Sequence, residues 1–486
     1  MAEHFDVVVV GAGLSGIGAG YHLQANSPER SYVILEGRER LGGTWDLFRY
    51  PGIRSDSDMH TLGFSFRPWT GDKAIADGPS ILRYLEDTAR EFGIDRHIRF
   101  GQRVTHASWS SADAQWALTV AAGGEERRLT CSFLLMCSGY YDYERAHMPA
   151  YPGVEAFRGA VVHPQFWRER IDYSGKRVVV IGSGATAVTL VPELAKQAAH
   201  VTMLQRSPTY IVAQPARDRI ANWLRRWLPA NAAYGAARWK NVAVQQFYYR
   251  IMRRHPAKAK ARLIEMVQGE LGPDFDVATH FTPRYDPWDQ RLCLVPDGDL
   301  FAAIRSGKAE VVTDTIDRFT PTGIRLASGR ELEADLVVSA TGLNIQLFGG
   351  MAVSIDGVPF EPARHLTYKG MMFADVPNLA IAFGYTNASW TLKADLTAKY
   401  VTRLLNAMRK RGMRQVTPRV AGAVEEMPFL DFTSGYVQRA AAALPRQGNR
   451  APWRLHQNYA RDLLSLKFGS IDDEMEFSNP ARHEAG

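Results

Sequence analysis

Cysteine is scarce: Cys131, Cys137 and Cys293 are the only three in 486 residues, and none stands in CxxC spacing. An odd count without paired spacing excludes a disulfide framework and dithiol redox chemistry. No run of about 18 apolar residues occurs, so no membrane-spanning helix is expected. The chain enters an apolar strand at Phe5, leaving no room for the charged and apolar regions of a signal peptide, and a reducing cytoplasm is the expected compartment. Low-complexity tracts are missing, and nothing repeats except one glycine-rich unit. Acids are missing from one stretch. Between Gln214 and Arg262, twelve Lys or Arg face a single acid, Asp218, a local balance of +11 against +7 for the whole chain. The cationic excess therefore belongs to one segment, as a solvated helical face or a surface for an anionic partner. With 46% hydrophobic and 22% charged residues the rest reads as an ordinary globular protein, too long for one core and suited to two or three domains.

What is present is a doubled motif. FDVVVVGAGLSG (5–16) and KRVVVIGSGATA (176–187) each read as an apolar strand, a tight turn and a helix start. The first glycine of each, Gly11 or Gly182, permits the turn. The second, Gly13 or Gly184, lets backbone N–H groups approach a pyrophosphate, and Gly16 or Ala187 keeps helix close to strand. Ala185 and Thr186 open the second helix, whose N-terminus would hold a phosphate. The second strand of the first unit, SYVILE, ends at Glu36, twenty residues beyond Gly16, where a carboxylate accepts hydrogen bonds from ribose hydroxyls. Its counterpart, HVTMLQR, ends at Arg206, nineteen residues beyond Ala187, followed by Ser207. An acid favours a free 2′-hydroxyl and a guanidinium a 2′-phosphate, so the first site is expected to take FAD and the second NADPH.

The expected fold class is α/β, with two Rossmann-like dinucleotide-binding domains and a helical insertion. The divisions are 1–145 and 341–486 for the FAD-binding domain, 146–213 and 286–340 for the NADP-binding domain, and 214–285 for the insertion. In the first domain a loop rich in glycine and aromatics, with Gly43, Thr44, Trp45, Phe48 and Tyr50, could wall in a flavin ring, with Asp56 and Asp58 projecting from it. Residues 80–92 read as a helix capped by Ser80, and 98–135 as strands ending at Cys137-Ser138-Gly139, where backbone can approach the first cofactor. A strand LAIAFG leads through Ser389-Trp390-Thr391 into a further helix whose N-terminus would face that cofactor. In the insertion, Trp223, Trp227, Trp239, Phe247 and Tyr248 are expected to pack in a core. A substrate channel, a partner subunit or peripheral contact with a membrane surface are the alternatives. Pocket residues are expected from 214–290 and from the loop near Phe64 and Trp69, and Trp453–Asn458 is expected to close over the site. Nucleic acid is not an expected partner, and the oligomeric state stays open.

Together these residues resemble the class B flavoprotein monooxygenases and, within them, the type I Baeyer–Villiger monooxygenases. Phe157-x-Gly159-x3-His163-x3-Trp167 fits the fingerprint of the class. Gly42-Gly43-x-Trp45-x4-Tyr50-Pro51-Gly52-x3-Asp56 fits the motif of the Baeyer–Villiger branch, and Ala340-Thr341-Gly342 the interdomain motif. The likeness covers nearly the whole length and, through GGTWDLFRYPGIRSDSDM and PWDQRLCLVP, extends to the mycobacterial-type ethionamide-activating branch. It implies NADPH-driven insertion of one oxygen atom of O2 beside a ketone carbonyl, giving an ester or lactone by way of a flavin C4a-peroxide, with sulfide oxidation as a side activity. A flavin-containing N- or S-oxygenase on the same scaffold is the alternative. The resemblance gives Arg291 the catalytic role, with Arg284 as rival, and has Asp56 orient it. A guanidinium that cannot give up its proton suits a site that must hold an anion without protonating it. By the same resemblance Thr341 and Gly342 join the cofactor-binding set, and His163 and Trp167 couple the domains. Family members carry Lys where this chain has Gln290, which leaves Arg206 and Ser207 as the main 2′-phosphate contacts.

Overall fold

Residues 2–167, 171–430 and 432–480 are described by a computed structural model. In the first half, β1 (Glu3–Val10) and β2 (Tyr32–Leu35) run parallel, with β3 (Ile98–Arg99) beyond them. The chain then turns back as an antiparallel meander of β4 (Gln102–Ser110), β5 (Gln115–Ala122) and β6 (Glu125–Met136), and β6 ends parallel to β1. Two late strands join the same sheet: Ala352–Ile355 beside β4 and Leu379–Ile381 beside the end of β6. Val7, Val8 and Val9 are wholly buried, and the pleat sends Val7 and Val9 into one core and Val8 into the other. The glycine-rich helix Leu14–Asn26 and the long helix Trp390–Arg411 pack together over the Val7 face.

The second sheet is wholly parallel. It contains β7 (Ala160–Val162), β8 (Arg177–Ile181), β9 (His200–Gln205) and the later strands Ala309–Thr313 and Leu336–Ser339, with β8 central between β9 and Leu336–Ser339. Val178 and Val180 meet the helix Ala185–Leu194 on one face, while Val179 and Ile181 belong to the opposite core. The chain passes from first sheet to second after β6 and returns after Leu336–Ser339. These two crossings run side by side: Asp142 N–H donates to Asn344 O, and Gln346 N–H to Tyr140 O, each at 2.9 Å. The helix near residue 80 spans Gly78–Glu91 and is capped by Asp77, whose side chain accepts from Ser80 N–H, not by Ser80.

The insertion forms helices Arg219–Trp227, Ala230–Arg254 and Pro256–Leu271, with Pro229 and Pro256 at the boundaries, where a missing N–H costs nothing. Arg238 pins it to the first domain, its Nη1 donating to His60 O and Gly63 O at 2.8 Å each. The expectation that the insertion aromatics are core is overturned: Trp227 is 73% and Phe247 60% exposed, and Trp223, Trp239 and Tyr248 are exposed too. The inward face of Ala230–Arg254 is filled by Ala233, Tyr234, Ala237, Arg238 and Val242.

Candidate active site

A cavity of about 580 Å³ opens where β1, the aromatic loop and the second-sheet helix converge, a size typical of small-molecule and cofactor sites. Gly11 sits at φ +104°, and a Cβ there would lie 2.6 Å from Cys137 O, so only glycine closes this turn. A Cβ on Gly16 would lie 1.8 Å from Gly11 O, which is how closely the helix abuts the turn. Glu36 lines the cavity, with Oε2 accepting from Ala12 N–H at 2.8 Å and Oε1 from Arg38 N–H at 2.9 Å. Burial raises its carboxyl above the ordinary range against the pull of those N–H groups, and each oxygen keeps a lone pair for a hydroxyl. Gly13 and Gly43 face each other closely enough that a Cβ on Gly13 would come 3.5 Å from Gly43 Cα. Thr44 and Trp45 line the wall beyond. Ser138 Oγ, also at the wall, is buried without a hydrogen-bond partner among the described residues. Bare glycine backbone, an acceptor carboxylate and an unpaired hydroxyl around one cleft fit a dinucleotide.

On the wall of the same cavity, Arg291 Nη1 donates to Asp56 Oδ2 at 2.8 Å across 235 residues of sequence. The arginine precedes the short strand Cys293–Pro296, which pairs with Ile211–Gln214. The Asp56 carboxylate raises the guanidinium pKa further, against the effect of burial. The rival, Arg284, is exposed and stands outside the cavity wall. Tyr140 and Tyr141 share a 2.8 Å hydrogen bond between their hydroxyls beside Arg291. Burial pushes both phenols up, with the Arg291 charge opposing it. Tyr140 stacks on Trp390 at 5.1 Å, and Trp390 Nε1 donates to Ser15 Oγ at 2.8 Å. The long helix thus starts at the cavity, as its sequence context led us to expect.

The second glycine unit reaches the same space. Ala185, Thr186 and Thr189 line the cavity, whereas Gly182, Gly184, Arg206 and Ser207 lie outside it on the open end of the second sheet. Gly182 has φ +135°, and a Cβ there would lie 2.4 Å from Ala340 O. Ser183 Oγ donates to Ser207 O at 3.0 Å, and Arg206 is exposed with no ion pair to a described residue. Thr341 Oγ1 donates to His147 O, and Gly342 O accepts from His163 Nε2 at 3.2 Å. His163 Nδ1 accepts from Gln165 N–H, while Gln165 Nε2 donates to Asp142 O, so this short segment ties both crossings together. Trp167 lies in the second core. The aromatic loop has a foot in each half: Trp45 packs on the first core, while Phe48 and Tyr50 are buried in the second.

Residues 9–72 match the model of an NAD(P)-binding Rossmann-like domain, and 73–223 that of the flavin-binding monooxygenase-like family. The chain is 58% identical over 476 residues to the FAD-containing monooxygenase EthA of Mycobacterium tuberculosis (strain ATCC 25618 / H37Rv), covering 98% of this chain and 97% of that protein. The chain belongs to the FAD-containing monooxygenases. Another relative, the putative FAD-containing monooxygenase MymA of the same strain, is 51% identical over 481 residues, 97% of each chain. Among solved structures, an oxidized steroid monooxygenase bound to NADP shares the fold at TM-score 0.76 and 24% identity, over 98% of this chain and 100% of that one. An open cyclohexanone monooxygenase does so at TM-score 0.75 and 22% identity, over 98% and 100%.

In this FAD-containing monooxygenase the walls of the cavity differ from the expected ones. Among the described residues, none from 214–290 lines it; Phe64 is buried in the first core and Trp69 packs against that core. Trp453 is wholly buried, and Gln457 does not cover the site but braces Thr386 and Asn387 from behind, Oε1 accepting from Thr386 N–H at 3.1 Å. The missed wall is formed by Leu430, Phe432, Tyr436 and Val437. No local pattern announces it, because its place depends on how the last third of the chain folds back. Tyr140 and Tyr141 had a signal, since they directly follow the small residues marked for cofactor approach.

Proposed function

We propose that this protein is a Baeyer–Villiger monooxygenase that uses FAD, NADPH and O2 to insert one oxygen atom beside a ketone carbonyl, giving an ester or lactone, with sulfide oxidation as a side activity. Bound FAD supplies hydride acceptance from NADPH and reductive activation of O2. The glycine turns at Gly11–Gly16 and Gly43, with Glu36, would hold its pyrophosphate and ribose, and Thr44 and Trp45 its flanks. Gly182–Thr186, with Arg206 and Ser207, would hold NADPH, the guanidinium reading the 2′-phosphate, while Thr341 and Gly342, on the return crossing, would join the cofactor-binding set.

The observation that carries the reading is the Arg291–Asp56 pair inside a cavity walled by both nucleotide motifs. Oxygen insertion builds negative charge on the substrate's carbonyl oxygen, and a fixed cation beside it lowers that barrier without giving up a proton. Asp56 orients the guanidinium and, being an acceptor only, leaves its other N–H groups free for the substrate. Tyr140, Phe432 and Tyr436 give the same space an aromatic wall.

The test is product analysis with a ketone panel and a sulfide panel under NADPH and air. Wild type is expected to form esters or lactones, and Arg291→Ala to lose ketone oxidation while retaining sulfoxide formation and bound flavin. Undiminished ketone oxidation in Arg291→Ala refutes the role of the cation. Sulfoxide or N-oxide formation with no ester from any ketone makes the protein an S- or N-oxygenase instead.

A further inference from the structure

The insertion presents a surface that no other described part of the chain covers. On helix Arg219–Trp227, Ile220, Trp223 and Trp227 recur at i, i+3 and i+7 and are 56, 57 and 73% exposed. The opposite side faces the protein, Asn222 Nδ2 donating to Asp72 O and Arg225 to the carbonyls of Thr70 and Gly71. In the second half of Ala230–Arg254, Val244, Phe247, Tyr248 and Ile251 repeat the pattern at i, i+3, i+4 and i+7, all exposed. Cations border both stripes. By helical spacing Arg219 and Arg226 flank the first, while Arg250 and Arg254, three and seven residues after Phe247, flank the second.

We propose that this face docks on an anionic lipid bilayer, its aromatic and aliphatic side chains entering the headgroup boundary and its cations meeting lipid phosphates. No described helix is long and apolar enough to cross a membrane, so the contact lies in the interface plane. Charge complementarity supplies the first argument. Arg217, Arg219, Arg226, Arg250, Arg254 and Lys258 are exposed and form no ion pair with any described residue. Other cations of the same segment are matched, Lys240 by Asp218 and Arg253 by Asp289. An interfacial helix combines bulky apolar residues on one side with bordering Lys or Arg, and Trp and Tyr are suited to the headgroup level. A second copy of this chain fits less well, because pairing the face with itself sets the unmatched cations of both copies against each other. Nucleic acid also fits less well: Trp223, Trp227, Phe247 and Tyr248 can stack on bases, but the exposed Ile220, Leu228, Val244 and Ile251 among them cannot, whereas a lipid boundary takes both kinds.

Flotation of the FAD-loaded, full-length protein with phosphatidylcholine vesicles, with and without about one third phosphatidylglycerol, tests this. The protein is expected to float with the anionic vesicles and not with the neutral ones, and to be released as salt shortens the screening length. The triple variant Arg226→Gln/Arg250→Gln/Arg254→Gln should lower the partition coefficient by about two orders of magnitude, roughly fivefold per cation. Trp223→Ser/Trp227→Ser/Phe247→Ser should lower it by about tenfold or more. Both variants change exposed side chains only and should keep the flavin and the NADPH-dependent turnover of wild type. Equal binding to both vesicle types, no binding to either, or variants that float like wild type overturns the proposal. So does tighter binding of a fluorescent single-stranded oligonucleotide, or a dimer in sedimentation that dissociates in these variants while wild type leaves the vesicles.

Discussion

Replacing Asp56 by Asn separates the charge of the pair from its geometry. Asp56 Oδ2 accepts from Arg291 Nη1 at 2.8 Å; asparagine keeps an acceptor oxygen there and removes the negative charge. The bond to the asparagine oxygen still comes from a charged guanidinium, so what is lost is the attraction between opposite charges, about 1–1.5 kcal/mol for a close pair at the rim of a cavity. The two side chains are 41 and 37% exposed, facing a cavity rather than a sealed interior, which keeps the loss well below that of breaking a fully buried pair. If Arg291 acts through its position, kcat/KM for a ketone falls about five- to tenfold in Asp56→Asn and about 30- to 100-fold in Asp56→Ala, where the acceptor goes too. Arg291→Ala removes the cation itself and costs about 10²- to 10³-fold. The double variant decides the matter, because residues acting through one another are not additive. Once Arg291 is alanine, Asp56→Ala should cost less than about twofold more. Initial rates of ester formation, normalised to bound flavin, compare the four variants with wild type. Additive losses in the double variant, or an Asp56→Ala enzyme indistinguishable from wild type, refute the reasoning.

Arg206→Ala should raise KM for NADPH by about 10- to 100-fold and leave NADH unaffected, since only the 2′-phosphate meets the guanidinium; an equal loss with both nucleotides counts against that role. Asp395 is buried beneath the first domain, 2.5 Å from His22 Nε2 and 3.1 Å from Lys399 Nζ. Burial pushes its carboxyl upward, but the charge and hydrogen bond of His22, with Lys399 and Arg238, outweigh this and hold it well below the ordinary range. Its stabilisation is therefore full above the unfolded carboxylate value of about 3.9 and lost as pH falls below it. Asp395→Ala should cost about 3–5 kcal/mol in denaturant unfolding at neutral pH, and a loss under about 1 kcal/mol would contradict the buried cluster. At His163, burial lowers the pKa against the hydrogen bond to Gly342 O. The unfolded chain thus binds a proton first, and wild type should lose stability as pH falls below the ordinary histidine value of about 6.5. His163→Gln should flatten that part of the melting-temperature profile, and parallel profiles would refute the link.

Much of the fold was legible because its signals are local. Each apolar strand, glycine turn and small-residue helix start lies within a dozen residues, and the doubled unit announced two Rossmann-like domains. The contrast of Glu36 with Arg206 was readable from spacing alone. The aromatics of the insertion were not, since helical periodicity shows that Trp223 and Trp227 share a face but not whether anything lies opposite. The wall formed by Leu430, Phe432, Tyr436 and Val437 was invisible for a related reason: its position is set by how the last third of the chain folds back, a long-range event with no local pattern. Between Arg284 and Arg291 the sequence offered motif spacing only, whereas the geometry separates an exposed side chain from one that faces Asp56.

The loop from Trp45 to Tyr50 has a mechanical consequence. With its first ring lodged among the side chains of one sheet's core and its later rings among those of the other, it behaves as a strut spanning the joint, and Gly43 and Thr44 at its root form the floor beside the first glycine turn. Any swivel of one half against the other must bend or pull this strut, so the shape of the chamber and the relative pose of the two halves change together.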